Sequence, residues 1–593
     1  MEKEDKLNNL RHTLAHLMAA SVGEIYKFDN IKLTLGPAVE NGFYYDIDFC
    51  GTKVTDADLK KIEDTMRKKL PKWTDWEHKE LSKEEALKFF KNEYKVELIN
   101  EIADRGSTDA KALADREKIT TYTCGGFTDL CRGGHLEHPN KEIDPLSFKL
   151  DRVAGAYWRG DEKNKMLTRI YGLAFETKEE LDAYLIQRAE AEKRDHKKLG
   201  KELDLFTFSE LVGAGLPLFT PKGTILRNLL DDFVWELRQK RGYVKVEIPH
   251  ITKKELYEKS GHWDKFKNEL FRITTREGHE FAMKPMNCPH HIQIFDRRQW
   301  SYRELPQRYA NSTTCYRDEQ TGELSGLSRV RSFTQDDAHV FCRTTQVKDE
   351  FLKVWDIIQD FYKPFGFLMR VRLSMHDPKQ PEKYLGNKEL WKSAESSLKE
   401  IVESKNIDWY EGRGEAAFYG PKLDFMAKDA IGREWQVATV QLDMNLPERF
   451  DLVCINEKGE KERLVMLHAA IMGSIDRFLS ILIEHVAGAF PLWLSPVQVK
   501  VIPVRTNHNE YANEIFNLLK ENNIRAELDD AEANLGGKVR DAKTNKIPYW
   551  IVIGDKEIEA KKVTLESRDA GPLGQVSKED LLSKLLEEIK NKN

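Results

Sequence analysis

The 593-residue sequence has few cysteines, no long uninterrupted hydrophobic run and no excess of charge of one sign. The seven cysteines are odd in number, and the charged N-terminus Met1–Lys6 has no apolar stretch after it, which predicts reduced thiols in the cytoplasm. The most apolar helical stretch, residues 478–494, is interrupted by charged residues and a proline, so we expect no membrane span and no membrane partner. The net charge of −5 requires any nucleic-acid binding to come from local basic surfaces.

The composition is that of a globular protein, with 40% hydrophobic and 33% charged residues. This excludes collagen, coiled-coil rods and intrinsic disorder. We find no internal repeat and no low-complexity tract. A chain of this length is too long for one hydrophobic core, so several domains are expected.

Changes in pattern predict four segments along the chain. Residues 1–176 mix helix and strand, with a helix over 7–27, a strand over 42–48 and one helical stretch over 56–91. Residues 177–203 are dense in charge and predict a solvated linker helix. Residues 204–494 form a large unit with many β segments, including a strand over 243–248. Residues 495–593 alternate strand and helix, as a small α/β domain does.

Three separated arginines in the large unit indicate a site for a nucleotide triphosphate. Arg317 and Arg329 flank a Gly/Ser-rich turn, and Arg477 lies in the first turn of a predicted helix. Guanidinium groups match phosphate oxygens and keep their charge, so three around one loop suit a triphosphate. The alternative for each single arginine is a surface ion pair, but the combined pattern favours the nucleotide site.

Two pairs of potential ligands in the first segment leave several functions open. His12 and His16 are at i and i+4 on one helix face, and Cys131 and His135 are also four apart. From the residues alone, they predict a zinc site or buried polar groups with a structural role.

Three motifs in the large unit resemble those of class II aminoacyl-tRNA synthetases. They are the Arg317-Asp318-Glu319 string before a loop, a strand ending in Pro249, and Gly473-Ser474-Ile475-Asp476-Arg477-Phe478. There is no Walker A loop and no class I synthetase signature. Four longer strings, at 283–289, 333–339, 417–422 and 439–443, resemble those of threonyl-tRNA synthetases. This resemblance extends over essentially the whole chain.

The resemblance implies an α+β multidomain fold. Expected are an α+β editing domain (1–176), a linker helix (177–203), a catalytic domain built on the antiparallel sheet of class II synthetases (204–494) and an α/β anticodon-binding domain (495–593). The helix before Pro249 resembles the class II dimer motif, so a homodimer is expected. Bacterial relatives carry a ubiquitin-like domain before the editing domain. This chain starts close to the His12–His16 helix, so we expect a short form.

The resemblance also implies the residues of each site. One catalytic zinc per chain would be held by a donor triad, Cys288, His339 and His468. The residues expected to bind ATP with Mg²⁺, or L-threonine, are Met286, Arg317, Glu319, Arg329, Gln335, Asp337, Tyr419, Lys422, Gln436, Thr439, Gln441, Ser474 and Arg477. Of these, Arg317, Lys422 and Arg477 are expected to be catalytic. The residues expected to edit, called the editing group below, are His12, His16, Lys95, Asp129, Cys131 and His135. Arg540 and Glu557 would read anticodon bases of tRNA(Thr).

The family's metal chemistry explains why an editing domain is needed. Valine lacks the hydroxyl that would bind the zinc and is rejected, whereas serine lacks only a methyl, a difference worth roughly 10–200-fold. That is too little for translation, so hydrolysis of seryl-tRNA is expected.

Two alternatives remain open at this point. One is a class II ligase for another amino acid, such as serine or proline. The other is a non-catalytic RNA-binding regulator on the same scaffold.

Overall fold

The computed structural model describes residues 3–105 and 119–592. The chain forms two compact units, Met1–Ala189 and Glu190–Asn593. Among the described residues, none of the helices combines the length and the apolar character that crossing a bilayer requires.

The first unit contains a five-stranded and a three-stranded antiparallel sheet. Its elements are α1 (Lys3–Tyr26), β1 (Lys32–Leu33), β2 (Ala38–Val39), β3 (Gly42–Asp48), α2 (Asp56–Lys69), β4 (Glu77–Leu81), α3 (Lys83–Phe89), α4 (Glu93–Arg105), β5 (Ile119–Cys124), β6 (Phe127–Leu130), α5 (Pro139–Glu142), β7 (Phe148–Tyr157) and β8 (Met166–Ala174). The larger sheet has the order β1-β3-β8-β7, with β2 also paired to β3. Helix α1 packs on β3 and buries an apolar face that includes Leu14, Leu17 and Met18.

Helix α6 (Lys178–Arg194) leads into the second unit, whose larger part is an eight-stranded sheet covered by helices. Its elements are α7 (His196–Glu202), β9 (Phe206–Thr207), β10 (Leu218–Phe219), α8 (Pro221–Gln239), β11 (Val244–Lys245), β12 (Ile251–Lys253), α9 (Lys254–Ser260), α10 (His262–Lys265), β13 (Arg272–Thr274), β14 (Glu280–Met283), α11 (Cys288–Phe295), β15 (Trp300–Ser301), β16 (Gln307–Tyr316), β17 (Ser332–Cys342), α12 (Val347–Tyr362), β18 (Leu368–Met375), α13 (Lys388–Glu403), β19 (Trp409–Arg413), β20 (Lys422–Lys428), β21 (Glu434–Asp443), α14 (Asn445–Arg449), β22 (Val453–Ile455), β23 (Lys461–Arg463), β24 (Val465–Ser474) and α15 (Ile475–His485).

The eight strands run in the order β11-β16-β17-β24-β21-β20-β18-β19. The six central strands pair antiparallel, and the two edge strands pair parallel to their neighbours. Alternate residues of β24, Leu467, Ala469 and Ile471, face a core formed with α8, α12 and α15. Because side chains alternate along a strand, His468 and Ala470 lie on the opposite face.

Helix α15 begins at a capping residue, Ser474, which is followed by apolar residues at helical spacing. The Ser474 hydroxyl accepts a hydrogen bond from the backbone N–H of Arg477, satisfying an orphan donor of the first turn. Ile475, Phe478, Leu479 and Leu482 are buried at helical spacing. The helix therefore starts with Arg477 in its first turn, as the sequence predicts.

The C-terminal part is a five-stranded mixed sheet in the order β26-β25-β27-β28-β29. Its elements are β25 (Val499–Pro503), α16 (Asn509–Glu521), β26 (Ala526–Leu528), α17 (Leu535–Thr544), β27 (Tyr549–Ile553), α18 (Asp555–Ala560), β28 (Val563–Ser567), β29 (Gly571–Val576) and α19 (Lys578–Asn591).

Three local predictions differ from the structure. The stretch 56–91 is not one helix: α2 ends at Lys69, Pro71 follows, and β4 forms a charged edge strand of the smaller sheet. The strand over 243–248 is only two residues long, Val244–Lys245.

The linker also departs from its predicted form. It is two helices, α6 and α7, because Asp195 has a non-helical backbone and caps α7. Helix α7 is not solvated throughout, since His196, Leu199 and Gly200 are buried.

Candidate functional site

The predicted donor triad comes together on the polar face of the large sheet. His339 on β17 and His468 on β24 are direct cross-strand partners, and Cys288 starts α11 above them. One donor atom from each lies within 4.8 Å of the others, and all three residues are buried. His290, two residues from Cys288, is not part of this group, and neither of its buried ring nitrogens has a hydrogen-bond partner.

Hydrogen bonds orient both histidines of the triad. His468 Nε2 is 2.9 Å from Asp443 Oδ2, so Nε2 carries the proton and Nδ1 a lone pair. His291 Nε2 is 3.1 Å from Asn311 Oδ1, which leaves His291 Nδ1 to accept from His339 Nδ1 at 2.8 Å. The lone pair of His339 is therefore on Nε2.

The two lone pairs point at one another, with His339 Nε2 3.1 Å from His468 Nδ1. Facing lone pairs repel unless a proton or a cation lies between them. Burial lowers the pKa of His339 well below its usual value, which disfavours a proton on that ring. Imidazole nitrogens and a cysteine sulfur are ligands that Zn²⁺ prefers, and three protein ligands leave a position open. The residues present therefore fit a zinc ion.

A pocket of polar side chains adjoins the triad on the same face. The Tyr419 ring stacks on His468 with centroids 4.7 Å apart, and its hydroxyl donates to Gln441 Oε1. Gln441 is the cross-strand partner of both His468 and Lys422. Ala470, two residues after His468 on β24, places only a methyl group on the same face of the sheet.

A buried carboxylate, Asp424, holds three of the predicted pocket residues. Its oxygens accept hydrogen bonds from Lys422 Nζ at 2.7 Å, Gln436 Nε2 at 2.8 Å and Thr439 Oγ1 at 3.0 Å. Arg372 NH2 donates to it at 3.0 Å. Asp424 has no accessible surface, so this network fixes the pocket side chains before any ligand binds.

Two of the predicted arginines have no carboxylate partner in the described residues. The Arg317 guanidinium lies between the rings of Phe266 and Phe333, 5.4 and 5.2 Å from their centroids, and its buried Nε has no partner. Burial lowers the pKa of Arg477. A desolvated guanidinium with free donors is a strong site for an anion.

The remaining predicted residues lie on β17, at the start of α15, in the segment between β16 and β17, and just before α11. Arg329 is bound by Glu319 and Glu323, at 2.8 and 3.2 Å. Asp337 accepts from Asn287 Nδ2 at 3.0 Å. The other members are Met286, which packs against the cluster around Cys288, Gln335 on β17, and Ser474 at the start of α15.

The editing group forms a second cluster, in the first unit. Cys131 Sγ is 3.5 Å from His12 Nε2 and 3.3 Å from His135 Nε2, and His12 Nε2 is 3.2 Å from His16 Nε2. Asp129 lies between His16 Nδ1 at 3.4 Å and Lys95 Nζ at 2.5 Å. All of these residues except His135 border a cavity of about 580 Å³.

The charges in this cluster separate into a thiolate and a buried imidazolium. Burial opposes ionisation of Cys131, but hydrogen bonds from His12, His135 and His16 lower its pKa to about 3. Burial likewise opposes protonation of His16, but Asp129 and Cys131 raise its pKa to about 9. Burial also opposes ionisation of Asp129, yet Lys95 and His16 hold its pKa well below the usual range. Burial lowers the pKa of His135, so the cluster offers a thiolate and a neutral imidazole side by side.

Three segments of the chain match known families. Residues 271–486 match the tRNA synthetase class II core domain (G, H, P, S and T), residues 498–588 an anticodon binding domain, and residues 119–171 the threonyl and alanyl tRNA synthetase second additional domain. A threonine–tRNA ligase of Porphyromonas gingivalis is 49% identical over 570 residues, which are 95% of this chain and 85% of the relative. The chain belongs to the threonine–tRNA ligase family.

Other members of the threonine–tRNA ligase family are similar to this chain in sequence and in structure. The threonine–tRNA ligase of Acetivibrio thermocellus is 47% identical over 98% of this chain and 88% of its own length. A crystal structure described as the RNA binding domain of threonyl-tRNA synthetase from Cryptosporidium parvum Iowa II superposes with a TM-score of 0.63. It is 36% identical and covers 66% of this chain and 98% of that one. The expected α+β class II fold is confirmed.

The two predicted anticodon residues differ in their surroundings. Arg540 is exposed on α17. Glu557 is 9% exposed, and its carboxylate accepts from the Gly554 N–H at 2.9 Å, Thr564 Oγ1 at 2.7 Å and Gln575 Nε2 at 3.0 Å. A contact between Glu557 and a base would require it to exchange one of these partners, so its role in reading the anticodon stays a prediction.

Sequence reasoning missed the residues that hold the site residues in place. Asp443, His291 and Asn311 orient the triad, Asp424 holds the pocket, and Trp76 stacks on His135 with centroids 3.9 Å apart. The two aspartates follow hydrophobic strand residues, Leu442 and Leu423, at positions where a strand would otherwise alternate to solvent. That signal alone does not separate them from surface aspartates.

Proposed function

We propose that this chain joins L-threonine to tRNA(Thr) with ATP, and that its first unit hydrolyses seryl-tRNA(Thr). The observation that carries the proposal is the row His339, His468, Gln441 and Lys422 across four neighbouring strands. In support, two residues of the donor triad, His339 and His468, share this row with Gln441 and Lys422, polar groups suited to a small amino acid, and Arg317 directly follows β16 of the same sheet.

The donor triad holds one zinc ion in this proposal. Such an ion would supply Lewis acidity and a coordination site for the amino and hydroxyl groups of threonine. Asp443 and His291 would orient the rings of His468 and His339 for binding it. Tyr419 and Gln441 lie beside His468 and would contact the amino acid.

Activation of threonine depends on positioning and on charge. Arg317 binds the α-phosphate of ATP and the threonine carboxylate, and Glu319 the adenine amino group. The carboxylate attacks the α-phosphorus, and the bond to pyrophosphate breaks in line. Arg329 exchanges Glu319 and Glu323 for the outer phosphates, and Arg477 stabilises the charge of the leaving pyrophosphate. Mg²⁺ accompanies the ATP.

The editing group hydrolyses the ester of seryl-tRNA. The cavity beside Cys131 accepts the seryl end, and the Asp129–Lys95 pair and His16 hold the charges in place. A neutral imidazole of the group takes a proton from water as the water attacks the ester carbonyl. The carbonyl–ribose bond breaks, and the ribose hydroxyl receives the proton.

The assembly is a homodimer in the cytoplasm, with tRNA bound by the C-terminal domain. Support for the dimer comes from exposed apolar side chains on two edge strands. Val244 on β11, at the edge of the large sheet, is 52% exposed, and Ile251 on β12, at the edge of the three-stranded sheet β12-β14-β13, is 47% exposed. Light scattering of the purified chain tests this, and a monomeric mass at micromolar concentration would exclude it.

Amino-acid-dependent ATP–pyrophosphate exchange tests the synthetic function. We expect exchange with threonine, weaker exchange with serine and negligible exchange with valine. C288A is expected to lose both zinc and exchange. Absence of threonine exchange in the zinc-loaded wild type would contradict the proposal and favour a regulator that binds RNA.

Deacylation of seryl-tRNA(Thr) tests the editing function separately. The double variant C131A/H12A is expected to clear seryl-tRNA far more slowly than the wild type, with threonine exchange unchanged. C124A, which removes another buried thiol of the same unit, is the matched control. Normal clearance by the double variant would disprove the assignment.

A further inference from the structure

A buried histidine connects the loop that carries Glu319 and Arg329 to helix α15. His196, the first residue of α7, is 3% exposed. Its Nε2 lies 3.1 Å from the backbone nitrogen of Leu327. Because a backbone N–H only donates, the ring proton is on Nδ1, which donates to Glu484 Oε1 at 2.6 Å. The ring therefore joins the loop to the last turn of α15.

The Glu484 end of this connection is fixed. Its Oε1 also lies 3.2 Å from the backbone nitrogen of His196, and its Oε2 accepts from Arg433 NH2 at 2.6 Å. Arg433 is held in turn by Asp429 at 2.8 Å. Glu484 is thus anchored from two sides.

The loop end is packed directly against the ring. A Cβ at Gly326, which has a φ of +52°, would lie 2.2 Å from His196 Nε2. The Leu327 side chain is fully buried, and the Ser328 hydroxyl lies 2.9 Å from that of Ser480 on α15. The loop is therefore held on α15 at two consecutive residues, one of them through His196.

The same group of residues is not a metal site. Asp195, His196 and Glu484 have potential ligand atoms within 4.8 Å of one another. However, both ring nitrogens of His196 are already engaged, and Asp195 Oδ1 accepts from the Lys197 N–H at 2.7 Å as the helix cap. The ring has no lone pair left for an ion.

We propose that His196 is a positioning residue for ATP. It fixes the 317–331 loop on α15, so that Glu319 and Arg329 meet the same nucleotide as Arg477 in the first turn of that helix. His196 does not itself touch ATP. This inference rests on the proposed function, because it assigns the loop to ATP.

Two conservative variants separate the two hydrogen bonds of the ring. The H196N amide takes the place of Nδ1, keeping the bond to Glu484 and losing the acceptor for Leu327. The H196Q carbonyl reaches the place of Nε2 and keeps that acceptor. D195A is the matched control, since it removes the cap of the same helix and leaves the loop bond intact.

The readouts are direct ATP binding and the KM for ATP and for threonine in pyrophosphate exchange. Leaving a buried amide without an acceptor costs enough to predict a 5- to 100-fold rise in KM for ATP in H196N. H196Q is expected within about threefold of the wild type, and D195A to lower the melting temperature with KM for ATP unchanged. KM for threonine is expected to stay constant in all three.

The KM values for ATP decide whether His196 positions the loop. An unchanged KM for ATP in a folded H196N, or equal losses in H196N and H196Q, would overturn the inference. If the wild type binds no ATP and shows no exchange, the proposed function fails instead. Should H196N not fold, H196F removes both hydrogen bonds while keeping a ring in place, and a normal KM for ATP in H196F would equally refute the positioning role.

Discussion

Replacing Asp443 by asparagine tests whether the site is prepared for a metal ion. In the protein, Asp443 Oδ2 accepts from His468 Nε2, and Oδ1 accepts from the backbone N–H groups of Asn445 and Leu446. In D443N the amide oxygen keeps the two backbone bonds, so the start of α14 is preserved. The amide nitrogen then faces His468 and requires Nε2 to accept, which moves the ring proton to Nδ1.

The expected magnitude follows from that tautomer. A protonated Nδ1 cannot bind a metal, so zinc binding must first restore the other tautomer against the new hydrogen bond. Loss of such an orienting partner weakens metal binding about 10- to 100-fold, or about 1.4–2.8 kcal/mol. Discrimination against valine is expected to return when zinc is added in excess.

Competition with a chromogenic zinc indicator measures the affinity, and circular dichroism and the melting temperature establish that D443N is folded. D451N is the matched control, because the Asp451 carboxylate is exposed and pairs with Arg463 at the surface. A folded D443N with zinc affinity within twofold of the wild type would refute the view that Asp443 sets the His468 tautomer.

Three further predictions concern the metal count and the editing group. Metal analysis should find one zinc per chain in the wild type and none in C288A; one zinc per chain persisting in C288A would contradict the need for Cys288 as a ligand. In a C50S background, alkylation of Cys131 by iodoacetamide should be about as fast at pH 5 as at pH 7.5, because its pKa is about 3; a rate falling about tenfold per pH unit would mean an ordinary thiol. D129N should destabilise the first unit by about 3–5 kcal/mol in urea titration, since it leaves a buried lysine unpaired, whereas E77Q in an exposed pair should cost under about 1 kcal/mol. Because folding lowers the pKa of Asp129, its contribution should be complete above about pH 4, the unfolded carboxyl's range, and decline as pH falls below it; a D129N loss that is the same at pH 3 and pH 7 would contradict this.

The regular periodicities of the sequence predicted much of the fold. The helix predicted over 7–27 and the strand predicted over 42–48 are present as α1 (Lys3–Tyr26) and β3 (Gly42–Asp48). The prediction of one helix over 56–91 was wrong because the charged edge strand β4 has the composition of a solvated helix. Pairing with β5 decides its conformation, and pairing is not a property of the segment alone.

The sites were less accessible to sequence reasoning. His339 and His468 are 129 residues apart, and only the register of β17 and β24 makes them neighbours. The resemblance to a family identified them, whereas their spacing did not. The supporting residues His291 and Asp424 were missed because a buried polar side chain is defined by its partners.

The synthetic site depends on the register of four strands, because its side chains form two rows across the large sheet. His339, His468, Gln441 and Lys422 form one row, and Asp337, Ala470, Thr439 and Asp424 the next. A shift of any strand by one residue would turn its members of both rows into the hydrophobic core. A single-residue insertion or deletion between the two rows of a strand is therefore expected to abolish the activity. Point exchanges within a row leave the backbone unchanged, so new amino-acid preferences can arise there one side chain at a time.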